Sequence, residues 1–174
     1  DLTIGFCRFL EKNGTVKGSK VAVGHDSRIS AERIKKQVID ALTDFGYGVY
    51  DCSYASTPAM FMTTVDLDAS ASVQITASHH PYNRNGLKFF TKDGGLNPED
   101  ISAIIEYACE SYEKTAVSGK IETVDFMAIY AARLRKMICD GVKADNYEKP
   151  LEGFKITVDA GNGVGGFYAT DVLA

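Results

Sequence analysis

Short apolar runs alternate along the chain with longer segments in which apolar residues recur at helical spacing. The apolar runs predict strands at 20–23, 47–50, 72–76 and 86–91. This alternation predicts an α/β fold: a mostly parallel (mixed) sheet with helices on both faces, in three α/β/α layers. Because the runs at 72–76 and 86–91 are close in sequence, we expect one of these strands to be antiparallel to the rest.

Capping residues predict where the helices begin and end. Ser30 is expected to cap a helix that ends at Gly46, since glycine accepts a left-handed conformation. A short helix is expected to begin at Thr57, and Asn97 is expected to cap another, each with a proline in its first turn. The apolar stripe predicted for the Asn97 helix comprises Ile101, Ile104, Ile105, Ala108 and Tyr112. A further helix is expected from about Thr123 to residue 137 or 138, stopping near Gly141.

The domain organisation is predicted from a polar stretch in the last third of the chain. We expect one domain at 1–145, a linker at 146–153 that contains Pro150, and the truncated start of a second domain at 154–174. In that last segment, Phe154–Asp159 is predicted to be a strand, and it is followed by the glycine-rich turn Gly161–Gly166.

Composition excludes several classes of protein. The chain has 174 residues, of which 45% are hydrophobic and 24% are charged, which is typical of a globular protein with an apolar core. Its net charge of −4 argues against a nucleic-acid partner. It contains no run of about 18 apolar residues, so no membrane span or membrane partner is expected.

The four cysteines are scattered and lack the Cys-x-x-Cys spacing of zinc and redox sites. Their even number would permit two disulfides. A chain with a sufficient core does not need them, so we expect reduced thiols and a cytoplasmic location.

The loop after the strand at 72–76 carries the candidate chemistry. Ligands of open α/β sheets bind beyond the carboxyl ends of strands, and Ser78 lies there. From Ser78 to Lys92 the chain contains two histidines, one arginine and two lysines but no acidic residue. Phosphoryl transfer needs an oxygen nucleophile surrounded by fixed positive charge. On composition alone, however, the loop is no more than a possible anion site, because its serine lacks the Gly-x-Ser-x-Gly context of hydrolases.

Four segments resemble, in order, the landmarks of the α-D-phosphohexomutases, the phosphomannomutases and phosphoglucomutases. The segment 76–81, Thr-Ala-Ser-His-His-Pro, with Asn-Gly-Leu-Lys at 85–88, resembles the family's phosphoserine loop. Residues 24–28, Gly-His-Asp-Ser-Arg, resemble its Gly-x-Asp-x-Arg turn. Thr57-Pro58 resembles a family helix start, and 158–163 resembles the opening of the second domain.

The resemblance implies a reversible shift of phosphate between positions 1 and 6 of a hexose phosphate, through a hexose bisphosphate. Phosphorylated Ser78 would donate and later recover the phosphoryl group. Lys88 would supply positive charge or a proton, and His79 would shape the loop and share in proton transfer. Substrate binding would also fall to Ser78 and Lys88. Asp26, Arg28 and Asn85 would support the loop without contacting the substrate.

The resemblance also implies a cofactor and missing parts. Mg²⁺ would be bound by an oxygen of phosphorylated Ser78, with its remaining ligands beyond Ala174. The family's other domains, expected after Ala174, would be partners of this piece within its own chain. We therefore expect the 174-residue piece alone to be inactive as a mutase.

Two alternatives stay open. Gly161-x-Gly163-x-x-Gly166 fits a dinucleotide-binding fingerprint, which would make the protein an oxidoreductase. His80 stands where the family usually has asparagine, and this change leaves open a non-catalytic relative that serves as a binding module. Covalent phosphorylation of the serine would distinguish an enzyme from such a module.

Overall fold

The computed structural model describes residues 1–161 and 163–173. The chain divides into two compact units, Asp1–Val124 and Asp125–Ala174. The predicted domain boundary after 145 and the linker at 146–153 stay predictions.

The first unit contains four helices and a six-stranded sheet. In chain order its elements are α1 (Leu2–Lys12), β1 (Lys20–His25), α2 (Ala31–Phe45), β2 (Gly48–Tyr54), α3 (Thr57–Asp66), β3 (Ala71–Ile75), β4 (Leu87–Thr91), β5 (Gly94–Gly95), α4 (Pro98–Tyr107) and β6 (Ile121–Thr123). The strand order is β5-β4-β3-β1-β2-β6. Pairs among β3, β1, β2 and β6 are parallel, whereas β4 is antiparallel to β3 and to β5. The predicted mixed α/β sheet is therefore confirmed.

Side chains that alternate along the strands build the two faces of this sheet. One face presents Val21, Val23 and Val73 to the main core, which α1 and α2 complete and to which α4 contributes Ile104. The opposite face is lined by small and polar residues and packs against α3, where Ser72 Oγ donates to the Met60 carbonyl at 2.7 Å. Helices therefore cover both faces, and the predicted three-layer arrangement is confirmed.

Three elements were not predicted, namely α1, the two-residue strand β5 and the strand β6, and both ends of α5 were wrong. The chain begins with α1, and β6 adds a short edge strand next to β2. Helix α5 begins at Phe126 and not at Thr123, because Thr123 belongs to β6 and Asp125 caps the helix. It also continues through Gly141 to Val142, and Lys143 takes the left-handed conformation that ends it.

The caps of α2 and α4 were located correctly, with one difference in chemistry. Gly46 ends α2 at φ 100°, as predicted. Ser30 occupies the cap position of α2, but its side chain does not cap the helix. Asn97 forms a capping box with Asp100 at the start of α4.

The buried stripe predicted for α4 is partly wrong. Ile104 is fully buried and packs in the core, but Ile105 is 53% exposed. Tyr112 lies beyond the end of the helix at Tyr107 and is also exposed. Among the residues of α4 only Ile104 is buried, so one side of the helix faces the core and the rest is partly or fully exposed.

The second unit contains α5 (Phe126–Val142) and α6 (Ala169–Leu173). The strand predicted at Phe154–Asp159 is absent, since this segment has no strand partner among the described residues and its side chains are exposed. The dinucleotide fingerprint therefore lacks the preceding strand that the motif requires. Asn162 belongs to the predicted dinucleotide fingerprint at 161–166 and to the segment 158–163 that resembles the opening of a second domain. It lies outside the described residues.

Two further properties concern the described chain. None of the helices in 1–161 and 163–173 is long and apolar enough to cross a membrane. The four cysteines are free thiols, three of them buried and one, Cys109, exposed.

Candidate functional site: the Ser78 loop

The loop between β3 and β4 lies beside the turn that follows β1. Strands β1 and β3 are parallel neighbours, and His25 pairs with Ile75 at their carboxyl ends. The Asp26 amide donates to the Ile75 carbonyl at 3.1 Å. Parallel pairing therefore brings together two segments that are 50 residues apart in sequence.

Asp26 and Thr76 connect this turn to the serine. Thr76 Oγ1 donates to Asp26 Oδ2 at 2.6 Å and accepts a hydrogen bond from the Ser78 amide at 3.0 Å. Thr76 is buried, while Ser78 is exposed. The Asp26 carboxylate thus orients the hydroxyl that holds the backbone of Ser78.

Arg28 fixes the rest of the loop. Its Nε donates to Asp26 Oδ2 at 2.9 Å. Its Nη2 donates to the Ser78 carbonyl at 2.5 Å, and its Nη1 lies within hydrogen-bond distance of three more loop carbonyls, those of His80, Pro81 and Arg84. A planar guanidinium with five N–H groups can hold several acceptors at once, which a lysine cannot. The side chain is therefore occupied by the loop backbone.

Ser78 itself has an unusual backbone conformation. Its φ is 54°, in the left-handed region, which costs a non-glycine residue about 1–2 kcal/mol. Among the described residues its Oγ has no hydrogen-bond partner. Strained residues held by their surroundings are concentrated at functional sites. The loop thus presents a serine hydroxyl to solvent from a backbone that is held on both sides.

Asn85 closes the far end of the loop. Its Nδ2 donates to Ser30 Oγ at 3.1 Å, and its Oδ1 accepts from the Gly86 amide at 2.9 Å. The Thr76 amide then donates to the Gly86 carbonyl at 3.0 Å. A side chain at Gly86 would approach the Thr76 carbonyl to 3.1 Å, so this closure favours glycine.

The remaining predicted residues lie in or next to the loop without fixed partners. The His79 and His80 rings are exposed and stacked, with centroids 4.9 Å apart. Lys88 is exposed in β4 opposite Gln74. Neither the His79 nor the Lys88 side chain forms a hydrogen bond or ion pair within residues 1–161 and 163–173. The structure therefore gathers Asp26, Arg28, Asn85 and Ser78 into one network, to which the side chains of His79 and Lys88 are not bonded.

The site does not contain a complete set of ligands for Mg²⁺. The described residues include no group of three or more His, Cys, Asp and Glu side chains that could hold a metal ion. The Asp26 carboxylate, which lies next to the loop, is already bonded to Arg28 and Thr76. Mg²⁺ requires about six oxygen ligands, and Ser78 alone would provide one.

Sequence reasoning missed two side chains that build the site. Thr76 was predicted as the end of a strand and as the first residue of the segment that resembles a phosphoserine loop, but without a role of its own, and Ser30 was predicted only as a helix cap. Thr76 carries a recognisable signal, since it is a polar residue directly after a fully buried strand and two positions before the serine. Ser30 carries none, because its bond to Asn85 spans 55 residues.

The fold and the site together define an α/β/α domain that presents a constrained serine loop at the carboxyl end of its sheet. The model of the phosphoglucomutase/phosphomannomutase α/β/α domain I matches residues 1–116. The chain therefore belongs to the phosphoglucomutase/phosphomannomutase family.

Individual relatives agree with this assignment. The phosphoglucosamine mutase of Streptococcus pneumoniae (strain Hungary19A-6) is 33% identical over 159 residues, which cover 89% of this chain and 34% of the relative. The chain thus spans about a third of the length of the curated relatives it matches.

Two solved structures share the fold. A phosphoglucomutase/phosphomannomutase family protein of Burkholderia thailandensis aligns with a TM-score of 0.66 at 21% identity, over 78% of this chain and 30% of its own. The open form of Paramecium parafusin, a phosphoglucomutase, aligns with a TM-score of 0.71 at 16% identity, over 99% of this chain and 38% of its own.

Proposed function

We propose that the protein containing this chain is a phosphohexomutase that moves a phosphoryl group between the 1- and 6-positions of a hexose phosphate. Ser78 is the carrier. One observation carries the proposal: the Ser78 hydroxyl is exposed and unbonded among the described residues, while its backbone is held by Thr76 and Arg28. A group that accepts and releases phosphate needs this combination of access and fixed position.

The chemical steps balance without an external reactant. The bond between phosphorus and the Ser78 oxygen breaks as a bond forms to the free sugar hydroxyl, which loses its proton, and the serine oxygen regains one. In the second half the bisphosphate returns its other phosphoryl group to Ser78. The net result is an isomerised hexose phosphate and a phosphorylated enzyme.

Lys88 and His79 are proposed to assist these proton movements. Both are exposed and close in sequence to Ser78, and Lys88 brings a positive charge to a stretch without acidic residues. General acid–base groups contribute about 10²–10⁴-fold to such reactions. Mg²⁺ remains part of the proposal: an oxygen of phosphorylated Ser78 would be one of its ligands, and the remaining ligands are expected beyond Ala174.

The first experiment measures the intact mass of the full-length protein after incubation with a hexose 1,6-bisphosphate. We expect a gain of one phosphate in the wild type and none in Ser78→Ala. Ser118→Ala is the matched control, because Ser118 is also exposed but precedes β6 at the opposite end of the sheet. Phosphate retained in Ser78→Ala would reject Ser78 as the carrier.

The second experiment measures turnover of the 1-phosphates of glucose, mannose and glucosamine. Lys88→Met in the full-length protein is expected to lower kcat about 10²–10⁴-fold. Lys92→Met is the control, since Lys92 directly follows the end of β4 and pairs with Asp68 at the surface. The 174-residue chain alone is expected to show no turnover of any of the three sugars.

A further inference from the structure

A buried histidine lies directly behind the Ser78 loop. His25 is the last residue of β1 and is 1% exposed. Its Nδ1 lies 2.7 Å from the Asp26 carbonyl oxygen, and its Nε2 lies 3.1 Å from Glu32 Oε1. Each ring nitrogen of this buried side chain therefore lies close to an oxygen atom. An apolar side chain at the same position would have neither contact.

The two contacts differ in what they require of the ring. A carbonyl oxygen can only accept, so Nδ1 must carry the hydrogen and donate to Asp26. The Nε2 contact with Glu32 is close but lacks the alignment of a hydrogen bond. The bond to Asp26 is consequently the one that fixes the ring relative to the loop.

Glu32, which contacts the His25 ring, is itself paired with Lys35. Lys35 Nζ lies 3.1 Å from Glu32 Oε2 and 3.4 Å from Asp51 Oδ2. Burial lowers the pKa of Lys35, but its hydrogen bond to Glu32 and the charges of both carboxylates outweigh burial and raise this pKa overall. The Tyr54 ring packs on His25 with centroids 4.8 Å apart. The groups facing His25 thus come from β2, from α2 and from its own turn.

The position of Asp26 determines the geometry of the loop. His25 holds the carbonyl of Asp26, while the carboxylate of the same residue binds Thr76 and Arg28. Those two side chains hold the Ser78 amide and the Ser78 carbonyl. A rotation of the peptide after Asp26 would therefore be transmitted to Ser78 along two paths, one through Thr76 and the other through Arg28.

We propose that His25 is a positioning residue for the Ser78 loop, acting through an Nδ1–H bond to the Asp26 carbonyl. This inference rests on the proposed function of Ser78 for its kinetic consequence, though its structural consequence can be measured independently. His25 does not touch the serine. Its effect is on where the serine is held.

The test compares three substitutions in the full-length protein. His25→Asn keeps an N–H donor near the position of Nδ1, His25→Gln moves the donor to the position of Nε2, and His25→Leu removes it. We expect Asn to keep kcat within about threefold of the wild type. Gln and Leu are expected to lower kcat about 10–100-fold with little change in KM, since a misplacement of about 1 Å can cost about 100-fold.

The structural readout is hydrogen exchange of the Ser78 amide, measured by NMR. Exchange should accelerate at least about tenfold in the Gln and Leu variants and stay near the wild-type rate in Asn. Thr63→Val is the control for a lost buried hydroxyl, because the Thr63 hydroxyl donates to the Met60 carbonyl within α3, away from the Ser78 loop. It should leave the Ser78 amide unchanged.

The outcomes separate the two proposals. Should the wild type show no mutase activity while exchange still follows the expected order, the function of Ser78 would be wrong and the positioning role right. If Gln or Leu kept both wild-type kcat and wild-type exchange, His25 would be an ordinary buried residue. Should Leu fail to fold, the comparison of Asn with Gln decides, since equal values in these two would overturn the role of Nδ1.

Discussion

At the scale of single residues, the arginine of the turn after β1 acts on the protein's own backbone. Arg28 is surrounded by one carboxylate and four carbonyl groups of the Ser78 loop. A guanidinium in this setting is too occupied to bind a substrate phosphate directly. Arg28 therefore holds the loop backbone, and the supporting role that the sequence resemblance implies for Arg28 and Asp26 stays a prediction.

Replacing Arg28 with lysine tests this view. An ammonium group keeps the positive charge but cannot reach carbonyls spread along the loop, so Arg28 and lysine differ here in geometry and not in charge. We expect Arg28→Lys in the full-length protein to lower kcat about 10–100-fold and to accelerate exchange of the Ser78 amide. Arg33→Lys, at an exposed position of α2, serves as the control. Unchanged kcat in Arg28→Lys would mean that charge alone suffices.

The site was only partly predictable at this scale. The motif resemblance identified Asp26, Arg28 and Asn85 in addition to Ser78, because each belongs to a short pattern of fixed spacing. It did not identify His25 as a contributor, because the proposed role of this residue depends on a contact with a backbone carbonyl. Every residue has such a carbonyl, so the sequence does not show which one is contacted. The orientation of Asp26 toward Thr76 depends in turn on parallel pairing of two distant strands.

At the scale of elements, α1 and α4 approach each other closely through a glycine. A Cβ added at Gly5 of α1 would lie 2.1 Å from the Ile104 carbonyl oxygen and 2.9 Å from the Ala108 amide nitrogen. Both are backbone atoms that cannot move independently of α4. The absence of a side chain at this position therefore sets the distance between the two helices.

We accordingly predict that Gly5→Ala destabilises the first unit. Overpacking costs about 1–3 kcal/mol in free energy of unfolding, and a clash with backbone should reach at least the upper part of that range. The measurement is urea unfolding of this chain, followed by the amide NMR signals of residues 1–124.

Gly141→Ala is the matched control for this prediction. Gly141 lies within α5, and nothing lies within 4 Å of the added Cβ. There, alanine should stabilise the helix by up to about 1 kcal/mol, because glycine is a poor helix former. If Gly5→Ala and Gly141→Ala changed the free energy of unfolding of their own units equally, α1 and α4 could move apart to accept the added methyl group without loss of stability.

The elements that the sequence predicted well have strong local signals. Helix α2 shows apolar positions at helical spacing and a terminal glycine, and α4 has its Asn97 cap. Helix α1 lacks a side-chain cap and contains Gly5, which is unfavourable in a helix, so tertiary packing decides its structure. Phe154–Asp159 has strand-forming residues but no neighbour to pair with among the described residues, and a strand exists only in a sheet.

At the scale of the whole first unit, three ionisable groups are buried in their neutral forms. Burial raises the pKa of Cys7 and of Tyr47 well above their ordinary values of 9.0 and 10.0, and raises the pKa of Cys52 to about 12. Cys7 and Tyr47 are in the main core, where the Tyr47 hydroxyl donates to the Cys7 carbonyl at 3.4 Å. In the unfolded chain all three groups would ionise near their ordinary pKa values.

These groups predict loss of stability in alkaline solution. For each group the folded pKa lies above the unfolded pKa, so its stabilising contribution is complete below the unfolded value and is lost as pH rises through the interval between the two. From about pH 9 upward, the free energy of unfolding should fall by about 1.4 kcal/mol per pH unit for each group that is ionised only in the unfolded chain. Urea unfolding between pH 7 and pH 10.5 in the presence of a reductant, followed by the amide signals of residues 1–124, measures this slope.

Cys7→Ala should lower stability at pH 7 through the small cavity it leaves. It should also reduce the slope above pH 9 by the contribution of one ionisable group. Thr63→Val, which removes a buried hydroxyl that does not ionise in this range, should lower stability while leaving the slope unchanged. A slope that is the same in Cys7→Ala and the wild type would mean that the Cys7 thiol ionises as readily in the folded core as in the unfolded chain.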